Sequence, residues 1–285
     1  MDVNFGVSSL IWSEHFNKND LYLFEKAKKI GFETFDIFVS HPEDFPTAEV
    51  KKAVNDAGVE PVTLSVLSQQ ANPLSSEPSV RENALDYLKS LIDISMGIGS
   101  KTVGGPVYAA WAYLTGRGRT DDEWKWSVET LRKAAEYAKE QGDVVLAFEP
   151  LNRFETFFLN IAEDTVKYCQ DIGLDNVGVH LDSFHMIREE TDFTEAVKTC
   201  GKKYLLYVHA CENNRGIPGT GLVPWKEFFT ALKDVGYAGA VTIESFDPNF
   251  EEINRSCAIW RKFAESGEAL ATEGLKNLKA IAAEI

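Results

Sequence analysis

The chain has 285 residues, a formal net charge of −15, and a hydrophobic content of 44% that includes 18 Phe and 6 Trp. This apolar content suffices for a large core and excludes a disordered chain, while the negative charge disfavours nucleic acid and anionic membrane surfaces as partners. No apolar stretch approaches the roughly 20 residues of a membrane span, and no signal-peptide pattern opens the chain. We therefore expect a cytoplasmic protein that binds a small, uncharged molecule.

Strand-like and helix-like segments alternate along the whole chain as eight βα units. Short apolar runs predict strands at 3–12, 33–40, 60–67, 101–108, 144–150, 177–184, 204–212 and 240–246. Apolar residues at helical spacing predict helices at 21–32, 47–58, 80–99, 121–142, 162–173, 191–201 and 225–237, and one or two more within 251–285. Eight such units close a ring.

The prediction is one α/β domain spanning 1–285, a (β/α)₈ TIM barrel with an additional C-terminal helix. An open doubly wound sheet is the alternative, because it also consists of repeated βα units. Neither a GxGxxG nor a GxxxxGK[ST] phosphate loop is present to favour that alternative.

Four potential metal ligands stand at the ends of four consecutive predicted strands, the fifth to the eighth. They are Glu149, Asp182, His209 and Glu244, at intervals of 33, 27 and 35 residues. Such an interval is one strand plus one helix, and in a barrel these strand ends converge on the catalytic face. Three carboxylates and one imidazole favour Mn²⁺, with Co²⁺ and Mg²⁺ as alternatives, over a thiolate-type zinc site. Four protein ligands leave two coordination positions of an octahedral ion open, and a substrate with adjacent oxygens could fill both.

Three other side chains are candidates for substrate contacts. His185 follows the sixth predicted strand and Arg215 the seventh. Arg215 can hydrogen-bond a substrate oxygen or simply pair with Glu212. Trp111 follows the fourth strand, where an aromatic side chain walls a pocket or packs in the core.

The segments around these residues resemble the ketose 3-epimerase family, which includes D-tagatose, D-allulose (psicose) and L-ribulose 3-epimerases. The most specific segments are FEPLNRFETFFLN, HLDSFHMIREE, HACENNRGIPGTGLVPW and IESF, and the resemblance extends from GVSSLIW to the C-terminal helices. It implies a xylose-isomerase-like TIM barrel with one divalent ion, usually manganese, that acts on free ketoses and forms dimers or tetramers. By motif alignment it implies Glu149, Asp182, His209 and Glu244 as ligands, contacts from Glu155, His185 and Arg215 to the O1–O3 end of the sugar, and Trp111 as an aromatic wall.

The chain departs from the family pattern near the site. Cys211 stands where the family often has glycine, Ser183 replaces a commoner threonine, and Ile187 and Arg188 replace Asn and Ile. These changes bear on substrate preference more than on reaction type. The four cysteines show no CxxC spacing, so we expect reduced thiols.

The chemistry expected of these residues is proton transfer at C3 of a ketose. An ion that polarises the C2 carbonyl makes the C3 hydrogen removable, because it stabilises the resulting cis-enediolate. Glu149 and Glu244 are predicted to remove and return the proton on opposite faces of C3.

Three other functions are alternatives. An aldose–ketose isomerase of the same superfamily, of the hydroxypyruvate-isomerase kind, would move the proton between C1 and C2 instead. An endonuclease-IV-like metal hydrolase is disfavoured by the five histidines and the charge of −15. A sugar-binding protein without catalysis would have to retain all four ligands and both acid/base candidates without using them.

Overall fold

Eight parallel strands form a closed barrel in the computed structural model, which describes residue 1 and residues 3–285. The strands are β1 (Asn4–Ser8), β2 (Thr34–Phe38), β3 (Glu60–Leu64), β4 (Thr102–Gly105), β5 (Val145–Phe148), β6 (Val177–Asp182), β7 (Leu205–His209) and β8 (Ala240–Ile243). Each strand pairs with the next in the chain, and β8 pairs with β1. The predicted TIM barrel is confirmed.

Helices connect the strands and cover the outside of the barrel. They are α1 (Tyr22–Ile30), α2 (Thr47–Ala57), α3 (Pro78–Ile98), α4 (Asp121–Gln141), α5 (Ala162–Ile172), α6 (Ser183–Glu189), α7 (Phe193–Tyr204), α8 (Trp225–Asp234), α9 (Glu251–Cys257) and α10 (Gly267–Ala283). The predicted C-terminal helix is α10, which buries Leu275 and Leu278. Among the helices described, none is long and apolar enough to cross a membrane.

The sequence determines where several of these helices begin and end. α4 starts with a capping box in which Thr120 Oγ1 accepts from the Glu123 amide at 3.2 Å and Glu123 Oε2 accepts from the Thr120 amide at 2.8 Å. α3 ends at Gly99, whose φ of 86° is a left-handed conformation that glycine adopts without steric cost.

All eight predicted strands extend two to four residues beyond the observed strand ends at the catalytic face. The first strand ends at Ser8 rather than at residue 12, because the Ser8 hydroxyl accepts from the Leu10 amide at 3.3 Å and a short 3₁₀ helix follows. The sixth strand ends at Asp182 rather than at residue 184. Asp182 Oδ1 accepts from the Phe184 amide at 2.7 Å and caps α6, a helix that the sequence analysis missed.

A layer of buried polar side chains lies inside the barrel. The Tyr207 hydroxyl on β7 donates to Asp36 on β2 and lies 2.6 Å from Thr242 Oγ1 on β8. Gly6 on β1 makes room for this layer, since a Cβ at that position would collide with Thr242 Oγ1. The barrel therefore brings side chains from distant parts of the chain into one hydrogen-bonded group.

Candidate active site

The four predicted metal ligands converge at the carboxyl ends of β5 to β8. Glu149 and Glu244 directly follow β5 and β8, while Asp182 and His209 are the last residues of β6 and β7 and are partners in the strand register. All four are buried. His209 Nδ1 lies 3.5 Å from Glu244 Oε2, 3.9 Å from Glu149 Oε1 and 4.0 Å from Asp182 Oδ2.

The donor atoms at this centre suit a divalent cation. Within the described residues, Glu149 Oε1 and His209 Nδ1 have no hydrogen-bond partner although both are buried, which is costly unless another group satisfies them. Potential ligand atoms within 4.8 Å of one another form three overlapping groups: Asp182, His209, Cys211 and Glu244; Glu149, His180 and His209; and Glu149, Asp182 and His185. None of these groups contains both glutamates.

Asp36 orients the imidazole of His209. Its Oδ2 lies 2.8 Å from His209 Nε2, and both side chains are fully buried. A carboxylate on one ring nitrogen fixes the tautomer and aims the other nitrogen at the metal position. The sequence analysis missed Asp36, although an acidic residue in the middle of an apolar strand was a detectable signal.

Replacing Asp36 with asparagine is expected to weaken metal binding by about 10–100-fold, the usual cost of losing such a carboxylate. The amide lacks the negative charge and can donate its own hydrogen to His209 Nε2, which disturbs the tautomer. Equilibrium dialysis against Mn²⁺ measures the affinity, with exposed Asp86→Asn as the matched control. If Asp36→Asn bound Mn²⁺ as tightly as the control does, the role of Asp36 in orienting His209 would be contradicted.

The two glutamates have opposite electrostatic environments. Burial, with the nearby charges of Glu244 and Asp182, raises the pKa of Glu149 well above its usual range. Burial alone would also raise the pKa of Glu244, but the charges of His209 and Arg215 outweigh it and lower that pKa to about 2. In the metal-free protein these environments favour the protonated form of Glu149 and the ionised form of Glu244, the kind of separation found between a general acid and a general base.

Three side chains beside the metal ligands are joined through Asn152. Glu155 accepts from Asn152 Nδ2 at 2.8 Å and from Trp111 Nε1 at 3.3 Å. The backbone amide of Asn152 donates to His185 Nδ1 at 3.0 Å, so the neutral imidazole has its proton on Nε2. Burial, with the charge of Arg215, lowers the pKa of His185 well below its usual value and keeps the ring neutral. The sequence analysis missed Asn152, although it lies inside the NRFE segment.

Arg215 is a buried cation between two of the carboxylates. Its Nη1 donates to Asp182 Oδ2 at 2.9 Å and to Glu244 Oε2 at 2.7 Å, and its guanidinium stacks on the Phe184 ring. Its φ of 62° is strained for a residue other than glycine, and the Ser245 hydroxyl donates to its carbonyl at 2.6 Å. This strained backbone places the guanidinium in the centre.

Glu212 does not form the alternative pair with the Arg215 side chain. Its carboxylate accepts instead from the amides of Gly219 and Val223 at 3.0 and 3.1 Å, and from Trp225 Nε1 at 3.0 Å. Glu212 thus ties the loop after β7 to the start of α8, and Arg215 is left to contact the site.

A cleft that is partly open to solvent lies above these residues. The polar side chains at its base are those of Glu149, Glu155, His185, Arg215 and Glu244. Its walls are mainly apolar and include Leu10, Phe38, Leu64, Val66, Trp111, Phe246 and Ile253. All six side chains predicted for catalysis or substrate contact therefore lie together at one cleft.

Comparison with known proteins agrees with the fold. Residues 24–281 match the family described as xylose isomerase-like TIM barrel. The chain is 30% identical to the probable ketose 3-epimerase of Synechocystis sp., over 97% of this chain and 96% of the relative. It is 32% identical to the L-ribulose 3-epimerase of Mesorhizobium japonicum, over 93% of this chain and 90% of the relative. The crystal structure of the D-allulose 3-epimerase of Methylomonas sp. in complex with D-allulose has a TM-score of 0.93 at 25% identity, covering 98% of this chain and 96% of that one.

The barrel and its buried cluster of potential metal ligands define an enzyme of the xylose isomerase-like TIM barrel class. Within that class, the chain belongs to the ketose 3-epimerase family.

Proposed function

We propose that the protein is a metal-dependent isomerase that epimerises free ketoses, either ketohexoses or ketopentoses, at C3. The observation that supports this most is the arrangement of the two glutamates. Glu149 and Glu244 come from the first and last strands of a four-strand arc, with Asp182 and His209 between them. They therefore reach the centre from different sides, as removal and return of a proton on opposite faces requires.

Glu149, Asp182, His209 and Glu244 would hold one divalent ion, for which Mn²⁺ is our first choice and Co²⁺ and Mg²⁺ are the alternatives. When bound, the ion supplies a Lewis acid that polarises the ketose carbonyl. Glu149 Oε1 and His209 Nδ1 support this assignment, because both are buried and have no hydrogen-bond partner among the residues that the structure describes.

The protein side chains would then move the proton and orient the sugar. One of Glu149 and Glu244 takes the proton from C3, which gives an enediolate, and the other returns a proton to the opposite face. His185 Nε2, which lies 3.3 Å from Arg215 Nη2, would contact a sugar oxygen, because Nδ1 already accepts from the backbone amide of Asn152. Glu155 and Arg215 would hydrogen-bond the same end of the sugar, and Trp111 would form one wall.

The charge of the cleft supports a sugar without phosphate. Among the described lining residues, Arg215 is the only lysine or arginine, and its guanidinium already contacts Asp182 and Glu244. A phosphate group would add about two negative charges next to these carboxylates without a free cation to bind it.

The protein is also proposed to be a homodimer or homotetramer. Such an assembly could cover Phe154, Leu222 and Trp260, large apolar side chains that are each more than 70% exposed. Sedimentation velocity would measure the mass, and a species of one chain at micromolar concentration would contradict the proposal.

Proton NMR in D₂O tests the reaction. The metal-stripped and the Mn²⁺-restored protein are each incubated with a panel of free ketoses, and the samples are quenched and freed of metal before recording. We expect deuterium at C3, together with the C3 epimer, only after Mn²⁺ is restored. Exchange at C1 or C2 with an aldose product would identify the isomerase alternative instead, and a panel without any exchange would contradict both functions.

A further inference from the structure

Cys211 is held so that its side chain enters the proposed metal centre. It lies two residues beyond the end of β7 and is fully buried. The Ser183 hydroxyl accepts from the Cys211 amide at 2.8 Å and donates to the Cys211 carbonyl at 2.7 Å. These two bonds join the ends of β6 and β7 and fix the backbone of Cys211.

The sulfur has the separations expected of a donor that shares an ion with carboxylate oxygens. Cys211 Sγ lies 3.3 Å from Asp182 Oδ2 and 4.0 Å from Glu244 Oε2. Typical metal–sulfur and metal–oxygen bonds are about 2.3 and 2.1 Å long. Two such ligand atoms on one ion are therefore about 3.1 Å apart when their bonds form a right angle, and about 4.4 Å apart when they lie on opposite sides of the ion. Both observed distances fall in this range.

Two further observations show that this is a cluster rather than an isolated cysteine. His209 Nδ1, which is buried and unpartnered in the described structure, belongs with Cys211, Asp182 and Glu244 to a group whose donor atoms all lie within 4.8 Å. Arg215 Nη1 lies 2.9 Å from Cys211 Sγ as well as near both carboxylates. The sulfur and the two oxygens thus already face one positive charge.

We propose that Cys211 Sγ is an additional ligand of the divalent ion held by Asp182, His209 and Glu244, an inference that rests on the metal site of the proposed function. Binding forms a sulfur–metal bond from the thiolate electron pair, and the thiol proton passes to solvent. A sulfur donor makes the site softer, so that it favours Co²⁺ or Zn²⁺ over Mn²⁺ or Mg²⁺ more than oxygen and nitrogen donors alone would.

Titration of the metal-stripped protein with Co²⁺ tests this coordination directly. Visible d–d bands report cobalt binding whatever the ligands, and a near-ultraviolet sulfur-to-cobalt charge-transfer band reports a thiolate ligand. We expect both bands to saturate together in the unmodified protein. Cys211→Ser and Cys211→Gly should keep the d–d bands and lose the near-ultraviolet band, whereas Cys257→Ser, which changes the cysteine that lines the cleft, should keep both.

The outcomes separate this inference from the metal site itself. Visible bands without the near-ultraviolet band in the unmodified protein would overturn sulfur coordination and leave the metal site intact. Loss of the near-ultraviolet band in Cys257→Ser, with its retention in Cys211→Ser, would overturn the assignment to Cys211. Absence of both bands would contradict the metal site and the inference together.

Metal preference provides a second readout that a purely structural cysteine would not change. In competition dialysis, Cys211→Gly should lower the affinity for Co²⁺ relative to that for Mn²⁺ by at least about tenfold, the lower end of what loss of a supporting group near a metal costs. An equal change in both affinities would overturn coordination by Cys211 and indicate a packing role.

Discussion

Glutamine in place of Glu149 or of Glu244 is expected to abolish inversion at C3, lowering kcat/KM for epimerisation by at least about 10³-fold. The amide is nearly isosteric with the carboxylate but neither accepts nor returns a proton at neutral pH. Each substitution therefore removes proton transfer on one face of C3, and inversion requires both faces. Formation of the C3 epimer, followed by NMR in D₂O with saturating Mn²⁺, measures the loss.

Both glutamates are also proposed metal ligands, so bound metal must be quantified in each variant and raised to the level of the unmodified protein. Glu163→Gln is a matched control because that glutamate is exposed on α5, away from the cleft. The control should epimerise at the normal rate. Near-normal epimerisation by Glu149→Gln or Glu244→Gln with the metal bound would disprove the assignment of that residue.

Arg215→Met should destabilise the metal-free protein by roughly 3–5 kcal/mol, the usual cost of breaking a buried ion pair on one side. Methionine keeps much of the side-chain volume and the same strained φ, so the main change is the loss of the positive charge between Asp182 and Glu244. For a chain of this size we expect thermal unfolding about 10 °C lower. Saturating Mn²⁺ should reduce the difference, because the ion supplies positive charge to the same carboxylates.

Arg188→Met is the matched control for this experiment. Arg188 stacks on the same Phe184 ring, but it is exposed and its guanidinium donates to the carbonyls of Phe184 and Asn213 rather than to carboxylates. Its substitution should cost about 1 kcal/mol or less. Equal destabilisation by the two variants would refute the electrostatic explanation. So would a loss of stability in Arg215→Met that saturating Mn²⁺ does not reduce.

The barrel could be predicted because its signals are local. Each strand is a short apolar run and each helix has an apolar stripe, so the eight repeats are readable without knowing any tertiary contact. α6 was missed for a local reason as well. Asp182 ends the buried strand VGVHLD and was predicted only as part of a strand, but its side chain also caps the helix that begins at the next residue.

The supporting residues of the site were harder to predict because their partners are distant in sequence. Asp36 is separated from His209 by 173 residues and Asn152 from His185 by 33, so their hydrogen bonds exist only after the barrel has closed. The contacts of the Arg215 side chain were hard to predict for the same reason. Its spacing from Glu212 allowed a local pair, but the competing hydrogen bonds of Glu212 are made to a loop and a helix that lie further along the chain.

The hydrogen bonds of Glu212 also bear on the thermodynamics of sugar binding. Residues 213–224 have the glycine- and proline-rich composition of a flexible loop, yet one buried carboxylate restrains the segment through Gly219, Val223 and Trp225. The conformational entropy of this loop is therefore lost when the chain folds rather than when a ligand arrives. A small sugar makes few contacts and binds beside an arginine whose position is already fixed. Less of the free energy of those contacts is then offset by ordering the loop, so that more of it contributes to the binding affinity.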